Sequence, residues 1–133
     1  MTLVDKLKWV RTALYVPAIN ARALEKARGL GVDMLIIDLE DSVPAESKSD
    51  ARAAAVDEVA KGFPGKLFAI RLNGLDSAEL AADIAAVERS LADCFVLPKS
   101  QPHLPYWQGL HQQNRLFFSQ DSQDQLFRQL VYF

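Results

Sequence analysis

Three carboxylates, Asp38, Glu40 and Asp41, fall within four positions directly after the apolar run Met34-Leu35-Ile36-Ile37. Each such charge is costly to remove from water unless it is paired or bound to a cation. A cluster of this kind is therefore suited to hold a metal ion or to orient a basic partner. An unbroken apolar run bounded by turn signals fits a strand buried on both faces. In a barrel-type α/β enzyme the chemistry sits where such strands end. A plainer reading stays open, in which Asp41 and Ser42 start the next helix, as short polar residues often do. A second group of interest is Arg71, followed by Asn73, at the end of the run Leu67 to Leu72. A guanidinium there can grip a carboxylate through two hydrogen bonds and keeps its charge at any working pH. It can equally pair with Asp38, Glu40 or Asp41 on a neighbouring strand, and the two roles are compatible. Lys99, after the run Cys94 to Leu97, either brings a positive charge under the same site or is a solvated residue at a strand end.

The elements that must position these residues follow from the apolar pattern. Thr12 to Val16 is a short β-prone run halted by Pro17. Asn20 is placed to cap a helix from Ala21 to about Leu30, with Leu24, Ala27 and Leu30 facing inward and Gly29 and Gly31 as the stop. The acid-tipped strand comes next. Pro44 holds Val43 extended and opens a second helix that runs to about Lys61, where Gly62, Pro64 and Gly65 break it. The strand Leu67 to Leu72 follows. Asp76 and Glu79 then have capping-box spacing, and Leu80, Ile84, Val87 and Leu91 recur at helical intervals. Cys94 to Leu97 reads as a fourth strand. Strands alternating with helices imply a parallel sheet with right-handed helical crossovers. Periodicity alone leaves open whether the sheet is an open, doubly wound one or part of a barrel.

Composition narrows the function. The 133 residues are 50% hydrophobic and 24% charged, with a formal net charge of -2, which gives no electrostatic reason to expect nucleic acid or an anionic membrane. No strand is followed by the glycine fingerprint of a dinucleotide site or by a phosphate-cradling Walker loop. The single cysteine, Cys94, opens an apolar run and reads as a small buried hydrophobe. No segment has the pattern of a signal peptide or a membrane span, so a cytoplasmic setting is expected.

After Ser100 the chain changes character. Residues 1 to 100 contain no glutamine and residues 101 to 133 contain eight, while alanine, lysine and glutamate stop. His103 and His111 lie in this stretch without companion ligands, and Gln123 to Val131 has the pattern of a short helix. Residues 1-100 are therefore expected to form one unit, and 101-133 an irregular tail that is non-native, frame-shifted or a partner-binding appendage.

Four motifs occur in order: Arg11-Thr12-Ala13-Leu14-Tyr15-Val16-Pro17, Ile37-Asp38-Leu39-Glu40-Asp41-Ser42-Val43, Ile70-Arg71-Leu72-Asn73 and Val96-Leu97-Pro98-Lys99. Together they resemble the citrate lyase beta-subunit family of CoA-ester lyases, which includes malyl-CoA and citramalyl-CoA lyases. The resemblance implies the first half of a (β/α)8 TIM barrel of the phosphoenolpyruvate/pyruvate type, a homo-oligomer, and Mg²⁺ as cofactor. It implies reversible Claisen-type cleavage of a 3-hydroxyacyl-CoA thioester into acetyl-CoA, or a relative, and a 2-oxo acid. On that basis Arg71 binds the oxo acid's carboxylate, and Glu40 and Asp41 stand beside the metal, joined to it through water. Asp38 orients Arg71 or Lys99 from behind. Tyr15, Arg22 and Lys26 match positions that contact coenzyme A, and the last two share a helix face. Ala18 stands where the family has glycine. The family's direct metal carboxylates, a Glu and an Asp from the fifth and sixth strands, have no counterpart after Lys99, where only Asp121 and Asp124 occur. A barrel of this kind takes ~250 residues. The expectation is a member truncated after about residue 100, with impaired activity. The competing expectation is a non-catalytic fragment that self-associates through an open sheet edge.

Overall fold

The apolar run at the acid-tipped strand lies inside a parallel sheet. The computed structural model describes residues 3-74, 76-98 and 116-119. Its strands are β1 (Ala13–Pro17), β2 (Met34–Asp38), β3 (Leu67–Arg71), β4 (Cys94–Leu97) and β5 (Leu116–Ser119), in the order β1-β2-β3-β4-β5 and parallel throughout. Between them run α2 (Ala21–Arg28), a 3-10 turn (Ala45–Ser47) leading into α3 (Lys48–Lys61), and α4 (Leu80–Val87), while a short helix α1 (Leu3–Leu7) precedes β1.

The two faces of the sheet are covered differently. On one face Val16, Leu35, Ile37, Phe68, Ile70 and Phe95 pack against Leu24 and Ala27 of α2, Ala51, Ala55 and Val59 of α3, and Leu80 and Val87 of α4. On the other, Tyr15, Met34, Ile36, Ala69, Cys94 and Val96 meet Leu7 of α1. Strands in sequence order with all three crossover helices on one side form a stretch of barrel wall. A doubly wound sheet would reverse its strand order and carry helices on both faces. The choice left open by periodicity falls to the barrel. Strands β2 and β4 are buried along their whole length, so truncating a residue such as Ile37 to alanine would cost about 2–5 kcal/mol through lost burial and the cavity left behind.

Several helix boundaries differ from the sequence expectation, each for a local reason. Asn20 caps α2 as expected, its Oδ1 accepting from Ala23 N–H at 3.0 Å. The helix ends at Arg28, so Leu30 is 40% exposed and the inward stripe stops at Ala27. At the end of α3, Gly62 takes φ 73°, a conformation that favours glycine. Its carbonyl accepts from Arg28 Nη1 at 2.6 Å, and the Arg28 guanidinium lies 3.8 Å over the Phe63 ring, which ties α2 to the end of α3. The capping box of Asp76 and Glu79 does not form. Glu79 N–H donates to Ser77 Oγ, and the Glu79 carboxylate is drawn instead to Arg52 of α3 at 2.6 Å. Helix α4 stops at Val87, which leaves Leu91 71% exposed and outside the stripe assigned to it.

The irregular tail expected after Ser100 is corrected at residues 116-119, where Leu-Phe-Phe-Ser, a β-prone run, extends the sheet as β5 along the edge of β4. Lys99, His103, His111, Asp121, Asp124 and the helix expected at 123-131 lie outside the described residues. Cys94 is fully buried, and burial pushes its thiol pKa up, in keeping with a packing role. Among the described residues no helix is long and apolar enough to cross a membrane.

Candidate active site

Register brings the charged residues together. Asp38 on β2 stands opposite Arg71 on β3, each the last residue of its strand. Side chains alternate along a strand, so both share a face with Ile36 and Ala69, the face away from the three crossover helices. Arg71 Nε donates to Asp38 Oδ1 and Nη2 to Oδ2, both at 2.8 Å, a bidentate pair on two buried residues. The Arg71 guanidinium also lies 4.7 Å over the Tyr15 ring, which adds a cation–π contact from β1.

Asp38 does more than pair with Arg71. Its carboxylate also accepts from Glu40 N–H at 2.9 Å, Ser42 N–H at 3.0 Å and Ser42 Oγ at 2.6 Å, so five hydrogen bonds converge on it. Burial opposes its ionisation, yet the bonds from Arg71, Ser42 and the Glu40 amide outweigh burial and hold its pKa at about 2. Burial likewise works against the charge on Arg71, and Asp38 with Glu40 more than offsets it, so the guanidinium pKa lies above its ordinary value. Asp38 is thus the organiser of the strand-tip loop. Ser42 belongs to that arrangement and does not start a helix, since α3 begins at Lys48.

Glu40 is the unbalanced member. Its Oε2 is buried, has no hydrogen-bond partner among the described residues, and stands 3.8 Å from Arg71 Nη2. Burial, together with the adjacent Asp41 carboxyl, raises its pKa above the usual glutamate value. Asp41 itself is exposed. The described residues contain no cluster of three or more His, Cys, Asp or Glu able to hold a metal ion. They do present one edge of such a site: a buried, unserved carboxylate oxygen next to a second carboxyl, which suits a small hydrated cation held through its waters. The acid pair therefore fits Mg²⁺ in an outer role, and the described residues do not supply a direct ligand set.

The remaining candidates separate. Tyr15 joins the cluster through Arg71, whereas Arg22 and Lys26 are exposed on α2 and make no contact with it among the described interactions. Two residues not singled out from the sequence extend the site. Asp83 of α4, fully buried, accepts from Asn73 N–H at 2.8 Å and Asn73 Nδ2 at 2.6 Å, and Arg52 Nη1 reaches its other oxygen at 3.2 Å. This fixes the chain just past the tip of β3. Lys48, in the first turn of α3, donates to the carbonyls of Leu39 and Glu40 at 2.9 and 2.7 Å. An acid at a core-facing helix position was the available signal for Asp83. Spacing carries no comparable signal for Lys48. A groove of about 750 Å³ lies between α2 and α3, but Ala18, Ile19, Ala54 and Asp57 line it and Asp38, Glu40 and Arg71 do not. Charge convergence, and not volume, locates the site.

Comparison with known proteins gives consistent findings. The family pattern described as HpcH/HpaI aldolase/citrate lyase matches residues 11–102. A (3S)-malyl-CoA thioesterase of Cereibacter sphaeroides is 37% identical over 110 residues, covering 73% of this chain and 39% of that protein. Citrate lyase subunit beta of Leuconostoc mesenteroides is 31% identical over 90 residues, covering 67% of this chain and 30% of the relative. Among solved structures, the citrate lyase beta subunit complexed with oxaloacetate and magnesium from M. tuberculosis superimposes with a TM-score of 0.68 at 26% identity, covering 86% of this chain and 48% of that one. The chain thus spans less than half the length of these relatives.

Proposed function

The chain belongs to the HpcH/HpaI aldolase/citrate lyase family, and from that premise we propose that it carries the oxo-acid side of an active site for Mg²⁺-dependent carbon–carbon cleavage of a 3-hydroxyacyl-CoA thioester. The products would be acetyl-CoA, or a close relative, and a 2-oxo acid. The observation that supports this reading most is the convergence of Arg71, Asp38 and Glu40 on one face at neighbouring strand tips.

Arg71 spends Nε and one Nη2 hydrogen on Asp38, which among the described residues leaves the far edge of the guanidinium, Nη1 and the second Nη2 hydrogen, as donors for a ligand carboxylate. Asp38 and the Tyr15 ring hold that edge in one orientation, so the oxo acid meets a preset fork. Glu40 and Asp41 hold the cation through its waters on the same side. When bound, Mg²⁺ supplies Lewis-acid polarisation of the carbonyl oxygen on which negative charge develops. Arg22 and Lys26 offer cations for the phosphates of coenzyme A, and Lys99, which follows β4 in the sequence, is the supporting cation of this reading. The working form is a homo-oligomer.

Thioester hydrolysis is a second reading, favoured by relatives named (3S)-malyl-CoA thioesterase. Product analysis separates the two. Malyl-CoA incubated with the chain and Mg²⁺ gives glyoxylate and acetyl-CoA by carbon–carbon cleavage, and malate and free CoA by hydrolysis. Cleavage that stops in Arg71→Ala is the expected result. Neither product pair, with malyl-CoA or citramalyl-CoA, would defeat both catalytic readings and leave a binding role.

A further inference from the structure

We infer that Lys48 is a positioning residue that fixes the direction of the Glu40 side chain; this rests on reading Glu40 as an outer ligand of the cation. The geometry is specific. The peptide entering Glu40 has its N–H on Asp38 Oδ1 at 2.9 Å and its carbonyl, that of Leu39, on Lys48 Nζ at 2.9 Å. The peptide leaving Glu40 has its carbonyl on the same Nζ at 2.7 Å and also accepts from Val43 N–H at 3.2 Å. Rotation of either peptide plane about the Glu40 Cα would break at least one of these bonds. With both planes held, the Cα–Cβ bond of Glu40 is fixed in direction, and the side chain that leaves along it brings Oε2 to 3.8 Å from Arg71 Nη2.

The residue type supports the same conclusion. Lys48 is the first residue of α3, where the helix dipole disfavours a cation, and Ser47 makes no side-chain capping bond there. A lysine at this position does not serve the helix. Its ammonium is turned back onto the loop, where two carbonyls satisfy it. A neutral side chain would suit α3 better and would release the loop.

Hydrogen exchange and Mg²⁺ titration calorimetry on the full chain test the assignment. In Lys48→Met, amide exchange at Glu40, Ser42 and Val43 is expected to rise roughly tenfold or more, with the β2 and β3 amides unchanged. The Mg²⁺ dissociation constant is expected to rise roughly tenfold. Lys48→Arg, which keeps charge and donors, is expected to recover most of both. Unchanged exchange in the loop, a rise spread evenly over the sheet, or a loosened loop with undiminished Mg²⁺ affinity would overturn the inference. If the unmutated chain takes up no Mg²⁺, the proposed function fails, and the exchange comparison still decides whether Lys48 holds Glu40. Should Lys48→Met not fold, the Lys48 ammonium resonance of the unmutated chain decides: protected Nζ protons support the clamp, and protons in free exchange with water refute it.

Discussion

Two aspartates, Asp33 and Asp38, stand at the two ends of β2, and the contrast between them separates acids that only join strands from those at the proposed site. Asp33, at the N-terminal end, accepts from Arg11 N–H at 2.9 Å and from Thr12 N–H and Oγ1 at 3.1 and 3.3 Å. The Arg11 amide bond in particular lowers its pKa against the effect of burial. The partners of its side chain are Arg11 and Thr12, the Arg11 guanidinium included at 3.6 Å, and it staples the entry to β1 onto the entry to β2. Asp93 does the same two strands further along, joining the entry to β4 to the start of β3 by accepting from Phe68 N–H at 2.8 Å. Asp38, at the C-terminal end, uses the same chemistry on a guanidinium and on a loop whose next carboxylate, Glu40, keeps one buried oxygen without a hydrogen-bond partner among the described residues. At one end the acids finish the fold. At the other, satisfying one acid leaves a second one unsatisfied.

The strongest way to break this contrast is to remove Arg71. Arg71→Ala leaves Asp38 buried without its partner, and a loss of about 3–5 kcal/mol in urea unfolding is expected. A loss below about 1 kcal/mol would mean that the pair is not buried as described. Next in size is the acid response. Asp38 has a folded pKa of about 2 against an ordinary aspartate value of 3.8, so its contribution is complete above about pH 4 and is lost as the pH falls toward 2. That difference corresponds to ~2 kcal/mol, and Asp38→Asn should remove this part of the pH dependence from unfolding curves. If the variant and the parent titrate in parallel, the assignment to Asp38 is wrong. At the other end of the strand, Asp33→Ala should cost about 1 kcal/mol of stability with no change in Mg²⁺ uptake. A drop in Mg²⁺ affinity there would erase the distinction between the two ends. The smallest effect is also the most discriminating. Because Glu40 carries a raised pKa, its ionisation works against folding at neutral pH, and Glu40→Gln should leave stability unchanged or raise it by less than about 1 kcal/mol while abolishing Mg²⁺ uptake in calorimetry. Clear destabilisation by Glu40→Gln would place this residue among the structural acids.

The sequence was informative where one residue's chemistry conflicted with its expected burial. An aspartate ending an apolar strand needs a partner, and Arg71, ending the next strand, was already named as one. Both roles offered for Arg71 remain compatible, since Asp38 occupies one edge of its guanidinium and leaves the other. Barrel and open sheet could not be separated by pattern, because the distinction lies in which side the crossover helices take. Lys48 was hidden for a different reason. Its partners are backbone carbonyls, present at every residue, so spacing carries no mark of the contact. Asp76 and Glu79 misled because capping-box spacing says nothing of a competing arginine, and Arg52 from α3 takes the glutamate first. Compositional change at Ser100 pointed to a break in regular structure, yet a short apolar run beyond it was enough to add a strand.

The order of the strands has a consequence for how the protein is made. Each strand pairs with the one synthesised just before it, so the sheet can lengthen in step with translation and need not wait for a distant segment. The Asp38–Arg71 lock spans 33 positions and lies wholly between the second and third strands. It can close once residue 71 has left the ribosome, and this corner of the sheet is then in place while later residues are still being added.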